Sequence, residues 1–283
     1  MKHQAPLVSF VMPTYNRAGM IVAAIESIRA QTENNWELIV VDDASTDNTK
    51  AVIAALDDAR IRYYRLAKNG GAGAARNKGV SLARGTWVAY LDSDNELFPE
   101  YTKTMLSWLD THPQAVFAIP RAHRTEELWQ DDKLVKIIDD SEDTPPSLTL
   151  KDIFMKKLNV DTNGFIHLRS VFDNPDIRWD TILRHGLEDW DLALQIGERY
   201  PNGFLYVPVV LYHYHQRYGG DGVVSNSTYS DWADTLEYIY QKHKNDSMLV
   251  GQDWYPAKVQ KWRKRQADYE AGKLPPYYLH RFQ

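Results

Sequence analysis

The chain has 283 residues, of which 43% are hydrophobic and 25% are charged, and its formal net charge is −5. This balance is typical of a globular protein with one large domain or a domain and an appendage, and it gives no general reason to bind nucleic acid or an anionic membrane. Cysteine is absent, which excludes disulfides and thiolate chemistry, and no apolar run approaches the ~18 residues of a membrane-spanning helix.

The first 112 residues alternate between strand and helix patterns. Apolar runs predict strands over residues 7–12, 36–41, 60–66 and 86–91, with helices between them and after Pro99. This alternation predicts an α/β fold with a mainly parallel sheet flanked by helices on both faces. Ligands of such sheets bind at the carboxyl ends of the strands.

The remaining residues are less regular. Strands are predicted near residues 115–119, 163–171 and 204–214, and the acidic stretch 129–143 predicts a hairpin or a loop. A helix is predicted from residue 188, and helices dominate after residue 221. We therefore expect a main domain over residues 1–220 and a helical C-terminal extension over residues 221–283.

Polar clusters follow three of the predicted strands. They are Pro13-Thr14-Tyr15-Asn16, Asp42-Asp43 and Asp92-Ser93-Asp94. In extended backbone, residues i and i+2 point to the same side, so Asp92 and Asp94 project together. Two carboxylates suit a hard divalent cation and, through it, the phosphates of a nucleotide. The alternative is an ordinary acidic turn after a strand, because Asp is common in turns.

Taken in order, the motifs resemble those of family 2 glycosyltransferases, which use nucleotide sugars and have the GT-A fold. The resemblance covers residues 6–216, and the C-terminal part matches no motif. It implies a Rossmann-like sheet with a nucleotide-binding half near residues 6–112 and an acceptor half near residues 113–220. The matching segments are residues 11–17, 40–47, 69–71 with 75–79, 91–94, Glu188-Asp189 and residues 212–215.

The resemblance implies a nucleotide-binding set. A Tyr ring can cover a flat base, and a carboxylate can accept a hydrogen bond from a base N–H. The alternatives are helix capping for Asp43 and an exposed helix position for Arg76. The expected nucleotide-binding residues are Pro13, Thr14, Tyr15, Asn16, Asp43, Arg76, Asp92 and Ser93.

The resemblance also implies a divalent Mn or Mg ion at Asp94, with Asp92 and His215 as further ligands. Such an ion neutralises the departing diphosphate. Many relatives carry a third acid directly after the metal-binding one, where this chain has Asn95. The neighbouring His213 is a rival to His215, and either histidine is alternatively an ordinary core or surface residue.

Asp189 is the expected general base, and the resemblance implies inversion by direct displacement. The base takes the proton of the acceptor hydroxyl while its oxygen attacks the anomeric carbon. Glu188 is expected to orient the acceptor or the base, and Asp191 is the fallback. The plain alternative is that these acids favour the start of a helix electrostatically.

The predicted function is a hexosyltransferase-type step of polysaccharide biosynthesis, from a UDP sugar to a hydroxyl of a saccharide or glycolipid. We expect a cytoplasmic protein with no nucleic-acid partner. Peripheral contact at the inner membrane face is a further option, through a C-terminal basic cluster that is alternatively a solvated helix face and comprises Lys258, Lys261, Arg263, Lys264 and Arg265. Two alternatives stay open: a nucleotidyltransferase that makes nucleotide sugars, and a non-catalytic nucleotide-sugar-binding protein on the same fold.

Overall fold

A nine-stranded sheet runs through the part of the chain that the computed structural model describes, which comprises residues 6–130, 133–142, 147–154, 161–219, 226–246 and 254–277. The strands are β1 (Val8–Thr14), β2 (Trp36–Asp42), β3 (Ile61–Arg65), β4 (Trp87–Tyr90), β5 (Glu96–Leu97), β6 (Phe117–Gln130), β7 (Lys133–Ser141), β8 (Ile166–Leu168) and β9 (Phe204–Tyr218).

Eight α-helices are described. They are α1 (Ile21–Arg29), α2 (Thr49–Ala54), α3 (Ala72–Leu82), α4 (Tyr101–Thr111), α5 (Leu150–Phe154), α6 (Glu188–Arg199), α7 (Tyr229–His243) and α8 (Trp254–Glu270), with a 3₁₀ helix over Arg169–Asp173. Of the helix predicted over residues 148–158, the part beyond residue 154 lies outside the described residues. Within the described ranges, every helix is too short or too polar to cross a bilayer.

The sheet has the strand order β3-β2-β1-β4-β8-β6-β9-β5, and β7 pairs with β6. Strands β1 to β4 pair in parallel, as the alternation of strand and helix predicted. Strand β8 joins in the antiparallel sense between β4 and β6, and β5 and β7 are also antiparallel to their neighbours. The α/β architecture with a helical C-terminal part is confirmed, and the sheet is mixed beyond β4.

Alternate residues of the buried strands pack on opposite faces of the sheet. Phe10 and Met12 lie in the cluster that includes apolar residues of α1 and α4. Val11 lies between them in the chain and belongs to the cluster on the other face, which includes Trp190 of α6 and Ile239 of α7. Both faces of the sheet are therefore packed against apolar residues. This explains why the buried strands are apolar at successive positions and not only at alternate ones.

The long strands β6 and β9 pair in parallel from Phe117 to Leu128, with irregular register near Arg121. Beyond the core, β6 turns back as β7, so the acidic stretch forms a hairpin rather than a loop. The hairpin's second strand is exposed at Leu134 and Val135.

Helix α7 is attached to helix α6 through a buried carboxylate. Helix α7 begins with a capping box between Thr228 and Asp231. Near its other end, Lys242 Nζ and His243 Nε2 lie 2.8 Å and 2.7 Å from the fully buried carboxylate of Asp191 on α6. The division into a domain and an extension near residue 220 stays a prediction.

Candidate active site

The three polar clusters lie at one edge of the sheet. Thr14 at the end of β1 pairs with Asp42 at the end of β2. On the other side of β1, Val11 pairs with Tyr90 of β4, so Asp92 follows at the level of Pro13. The register thus brings together segments that are about 80 residues apart in the chain.

The segment after β1 presents one exposed ring on a fixed turn. Pro13 and Thr14 are buried, whereas Tyr15 is 44% exposed. Asn16 adopts a φ of 53°, and its Oδ1 accepts a hydrogen bond of 2.7 Å from the Thr46 N–H. A left-handed conformation at Asn is tolerated because its side chain bonds locally. The Tyr15 ring is therefore available to a flat ligand.

Asp43 is buried and holds the glycine-rich loop. Its Oδ1 and Oδ2 accept hydrogen bonds of 2.7 Å from the N–H groups of Gly70 and Gly71. Helix α2 begins only at Thr49, so the carboxylate of Asp43 does not cap it. Each carboxylate oxygen has a second lone pair, and Asp43 thus retains capacity to accept a further donor.

Arg76 on α3 is not an exposed helix residue, because its side chain is only 3% accessible. Its Nη2 donates to Asp92 Oδ1 at 2.7 Å and its Nη1 donates to Glu188 Oε1 at 2.9 Å. The guanidinium lies 4.7 Å from the ring centre of Trp179. Both terminal nitrogens are therefore occupied, and they join an acid that follows β4 to the acid that begins α6.

The Asp92-Ser93-Asp94 turn is held by side-chain amides. The Asp92 N–H donates to Asn163 Oδ1 at 2.7 Å, and Asn95 Nδ2 donates to Asp94 Oδ1 at 3.1 Å. Ser93 is buried. Burial raises the pKa of Asp94, and the nearby charge of Asp92 adds to the rise. The two carboxylates of this turn therefore repel each other electrostatically.

The oxygen of Asp94 that Asn95 does not contact is paired with a cation. Arg217 Nη1 lies 3.2 Å from Asp94 Oδ2, and its Nε lies 3.5 Å from Glu127 Oε2. The guanidinium also lies 5.3 Å from the ring centre of Trp129. Arg217 thus links the end of β4 to the far ends of β6 and β9.

His215 is held by two neighbours. Its backbone N–H donates to Asn95 Oδ1 at 2.7 Å, and its ring Nδ1 lies 2.6 Å from Glu127 Oε1. His213, its rival in the sequence, pairs through Nε2 with Thr125 Oγ1 at 2.5 Å. Burial and the neighbouring histidines lower the pKa of His213 to about 4, which keeps it neutral near pH 7.

In the described residues, no group of three or more His, Asp or Glu side chains is arranged as a metal site. The donor types nevertheless fit a divalent cation at Asp94. Asp92 and Asp94 offer carboxylate oxygens from one turn, and a carboxylate that already attracts a guanidinium has the charge to attract a metal. Glu127 bonded to the Nδ1 of His215 is the kind of partner that orients a ligating imidazole.

Helix α6 begins at the predicted acid pair Glu188-Asp189. Gly186 and Leu187, which precede the helix, have φ angles of 102° and 69°. This left-handed backbone sets the direction in which α6 begins. Asp189 Oδ1 accepts a hydrogen bond of 2.7 Å from the Trp190 N–H. Asp189 therefore lies in the first turn of the helix, where an acid is electrostatically favoured, as the plain alternative expects.

The acids that follow β4 and the acid Asp189 near the start of α6 interact electrostatically with the same groups. Burial raises the pKa of the Tyr214 hydroxyl well above its usual value, and the charges of Asp161, Asp94 and Asp189 add to this rise. Burial also raises the pKa of Asp161 well above its usual value, with further contributions from Asp189 and Asp92. Such charge interactions act over roughly 10 Å in salt solution. Asp189 thus lies within charge range of the same groups as Asp92 and Asp94.

Several residues of this region were not predicted from the sequence. Arg217 follows His215 by two positions on one strand, a spacing that places both side chains on one face and could have indicated it. Asp161 and Asn163 had no comparable signal, because they precede a three-residue strand in an irregular segment. Glu127 lies in the hairpin that the sequence left open.

The comparisons with solved structures support the fold. The S. aureus TarS structure of residues 1–349 in complex with UDP-GlcNAc superimposes with a TM-score of 0.67 at 20% identity, covering 93% of this chain and 73% of that one. At this identity the likeness concerns the fold, which is the GT-A type expected from the motifs.

Sequence relatives match the same region. The succinoglycan biosynthesis protein ExoO of Rhizobium meliloti is 35% identical over 226 residues, which cover 76% of this chain and 62% of the relative. The Escherichia coli protein WfgD, described as UDP-Glc:alpha-D-GlcNAc-diphosphoundecaprenol beta-1,3-glucosyltransferase, is 44% identical over 89 residues, or 31% of this chain and 35% of that one. The chain thus spans less than two thirds of the length of these relatives.

The model of the family described as Glycosyl transferase family 2 matches residues 9–173. This range is more than half of the chain, and it includes the three strand ends, Arg76 and Asp161. The chain belongs to glycosyl transferase family 2.

Proposed function

We propose that the protein is an inverting glycosyltransferase that moves a hexose from a UDP sugar to a hydroxyl of a saccharide or glycolipid in polysaccharide biosynthesis. The observation that carries the proposal is that Arg76 contacts both Asp92, which lies in one turn with Asp94, and Glu188, which precedes Asp189 at the start of α6. A transferase needs a donor-side acid and an acceptor-side acid within one substrate's reach, and this arrangement supports that requirement.

The nucleotide is assigned to the edge formed by the ends of β1, β2 and β4. The Tyr15 ring covers the base, and Asp43 uses its remaining lone pairs for a base N–H. Asp92 and Ser93 face the ribose and the diphosphate. The structures of TarS with UDP and with UDP-GlcNAc support a uridine donor for this fold. The assigned residues are Pro13, Thr14, Tyr15, Asn16, Asp43, Asp92 and Ser93.

A divalent Mn or Mg ion is assigned to Asp94, with Asp92 and His215 as supporting ligands. When bound, such an ion offsets the negative charge that develops on the departing diphosphate. Asn95 contacts Asp94, and Glu127 contacts His215, so each of these two assigned ligands has a protein partner that fixes its orientation.

Asp189 is assigned as the general base. Its carboxylate removes the proton of the acceptor hydroxyl while that oxygen forms a bond to the anomeric carbon. The bond from this carbon to the diphosphate oxygen breaks on the opposite side, and UDP leaves with the electron pair. Glu188, fixed by Arg76, orients the acceptor. The geometry of a single displacement inverts the anomeric configuration.

The acceptor class is assigned from the name of a relative, and the place of action is assigned from exposed positive charge. The name of WfgD concerns a diphosphoundecaprenol-linked acceptor, which is the reason to include glycolipids. The exposed Lys261 and Lys264 of α8 are the residues assigned to a peripheral contact at the inner face of the membrane.

The testing experiment incubates the full chain with a panel of UDP sugars and Mn²⁺ and measures the UDP released. Transfer or slow donor hydrolysis supports the proposal. Release of pyrophosphate would favour a nucleotidyltransferase instead, and binding without turnover would favour a non-catalytic binding protein. The panel also identifies the donor sugar.

The metal assignment is tested by calorimetry of UDP binding with and without Mn²⁺. Asp94→Ala should remove most of the Mn²⁺-dependent gain in affinity. Asp268→Ala, at a half-buried position of α8, is the matched control for loss of one carboxylate. An Asp94→Ala variant with the affinity of the parent protein would reject the role of Asp94.

A further inference from the structure

Arg217 occupies an unusual position for a cation near a metal-binding acid. It lies 3.2 Å from Asp94 Oδ2, while Asn95 contacts Oδ1, so both oxygens of the carboxylate are engaged within the protein. Arg217 also contacts Glu127, whose other oxygen bonds to His215. The Arg217 guanidinium therefore lies between Asp94, which is assigned to the cation, and Glu127, which holds the assigned ligand His215.

The charges at this position explain why the guanidinium stays there. Asp94 and Asp92 form a pair of nearby carboxylates, and Glu127 adds a third negative group that is 7% exposed. Unpaired carboxylates in such a setting are costly, whereas a cation among them is stabilised. Arg17 also attracts Asp94, and Arg217 lies in direct contact with it.

We propose that Arg217 is the resident counter-ion of Asp94 in the free protein and exchanges this carboxylate for the donor's diphosphate when a divalent cation binds. The inference rests on the proposed nucleotide-sugar site. A guanidinium presents several N–H donors that match phosphate oxygens as well as carboxylate oxygens. Arg217 thus gains a partner of the same chemical kind when it leaves the first one.

The exchange accounts for the arrangement around Asn95. A second full negative charge at that position would hold Arg217 more tightly, whereas the neutral amide of Asn95 fixes Asp94 without adding charge. Arg217 can therefore be displaced, and a metal ion without nucleotide has to compete with it. The proposal predicts weak binding of the metal alone and strong binding of metal and nucleotide together.

The test measures Mn²⁺ binding in the absence of nucleotide, by calorimetry and by electron paramagnetic resonance of the free ion. Arg217→Met removes the positive charge that lies 3.2 Å from Asp94 Oδ2. This variant should bind Mn²⁺ roughly 10-fold more tightly than the parent protein, after allowance for solvent screening. Arg217→Lys keeps the charge and should stay near the parent protein. Arg263→Met removes one exposed cation from α8 and should change nothing.

A second measurement uses saturating Mn²⁺ and UDP. Here Arg217→Met should bind UDP roughly 10-fold more weakly, because one charge-assisted contact to the diphosphate is lost. Opposite signs in the two measurements distinguish the exchange from general damage, which weakens both. Circular dichroism and thermal unfolding check that each variant is folded, and Arg217→Gln provides a second uncharged variant.

The outcomes separate the two proposals. Mn²⁺ binding by Arg217→Met and Arg217→Gln that is equal to or weaker than that of the parent protein overturns the exchange. The exchange is also overturned if Mn²⁺ binding remains unmeasurable in both variants. A parent protein that binds Mn²⁺ but no UDP would contradict the proposed function, and the Mn²⁺ comparison would still decide the role of Arg217 on Asp94.

Discussion

Replacement of Arg76 tests how the two halves of the site are joined. Arg76→Met removes hydrogen-bonded ion pairs of 2.7 Å and 2.9 Å and leaves Asp92 and Glu188 without their common cation. Loss of one partner from a buried ion pair costs about 3–5 kcal/mol. Asp92 is 29% exposed and Glu188 is 14% exposed, so water compensates part of the loss and we expect about 3 kcal/mol.

The free energy of unfolding, measured by urea titration with the full chain, provides the check. Arg76→Met combined with Glu188→Gln should cost less than the sum of the single changes by more than about 1 kcal/mol, because the second change removes a charge that the first leaves unpaired. Arg263→Met breaks an exposed pair and should stay within about 1 kcal/mol. An Arg76→Met variant that loses less than about 1 kcal/mol, or strictly additive costs, would refute this account.

Three further predictions use other parts of the structure. Asp189→Asn should abolish transfer and leave UDP affinity unchanged in calorimetry; a variant with near-full turnover would show that another group is the base. Gly79→Ala should lower the thermal unfolding midpoint, because an added Cβ on α3 would overlap the Val11 side chain, and an overpacked core site costs about 1–3 kcal/mol; an unchanged midpoint would count against close packing there. Burial alone would lower the pKa of His243, but its hydrogen bond and charge interaction with Asp191 outweigh this and raise the pKa, so its contribution to stability is complete below an unfolded-state pKa of about 6.5 and is lost as the pH rises through the folded-state pKa. Urea titrations from pH 6 upward should therefore show a decline that His243→Gln reduces, and an identical decline in both proteins would exclude His243 as its source.

The N-terminal half of the site could be predicted because each step is local. Apolar runs show where β1, β2 and β4 end, and parallel pairing brings those ends to one edge. The polar residues after each run were therefore sufficient to place Tyr15, Asp43 and Asp94 at a common edge before any coordinates were known.

The second half was less predictable because it depends on long-range pairing. Strands β6 and β9 are about 90 residues apart, and irregular register near Arg121 shifts which side chains meet. A shift of one residue reverses the face of a side chain. The spacing of His215 and Arg217 could place those two on one face, but it could not show that Glu127 on the neighbouring strand meets them. Arg76 shows the same limit: the ligand contact that the motif indicates stays a prediction, and the motif gave no sign of the two buried ion pairs.

The glycine loop held by Asp43 has a mechanical consequence. Gly70 and Gly71 lead directly into α3, and Arg76 lies about one turn further along the same helix. The end of β2 and the acid that begins α6 are therefore both hydrogen-bonded to one short segment of the chain, so any displacement of this segment would alter both sets of hydrogen bonds.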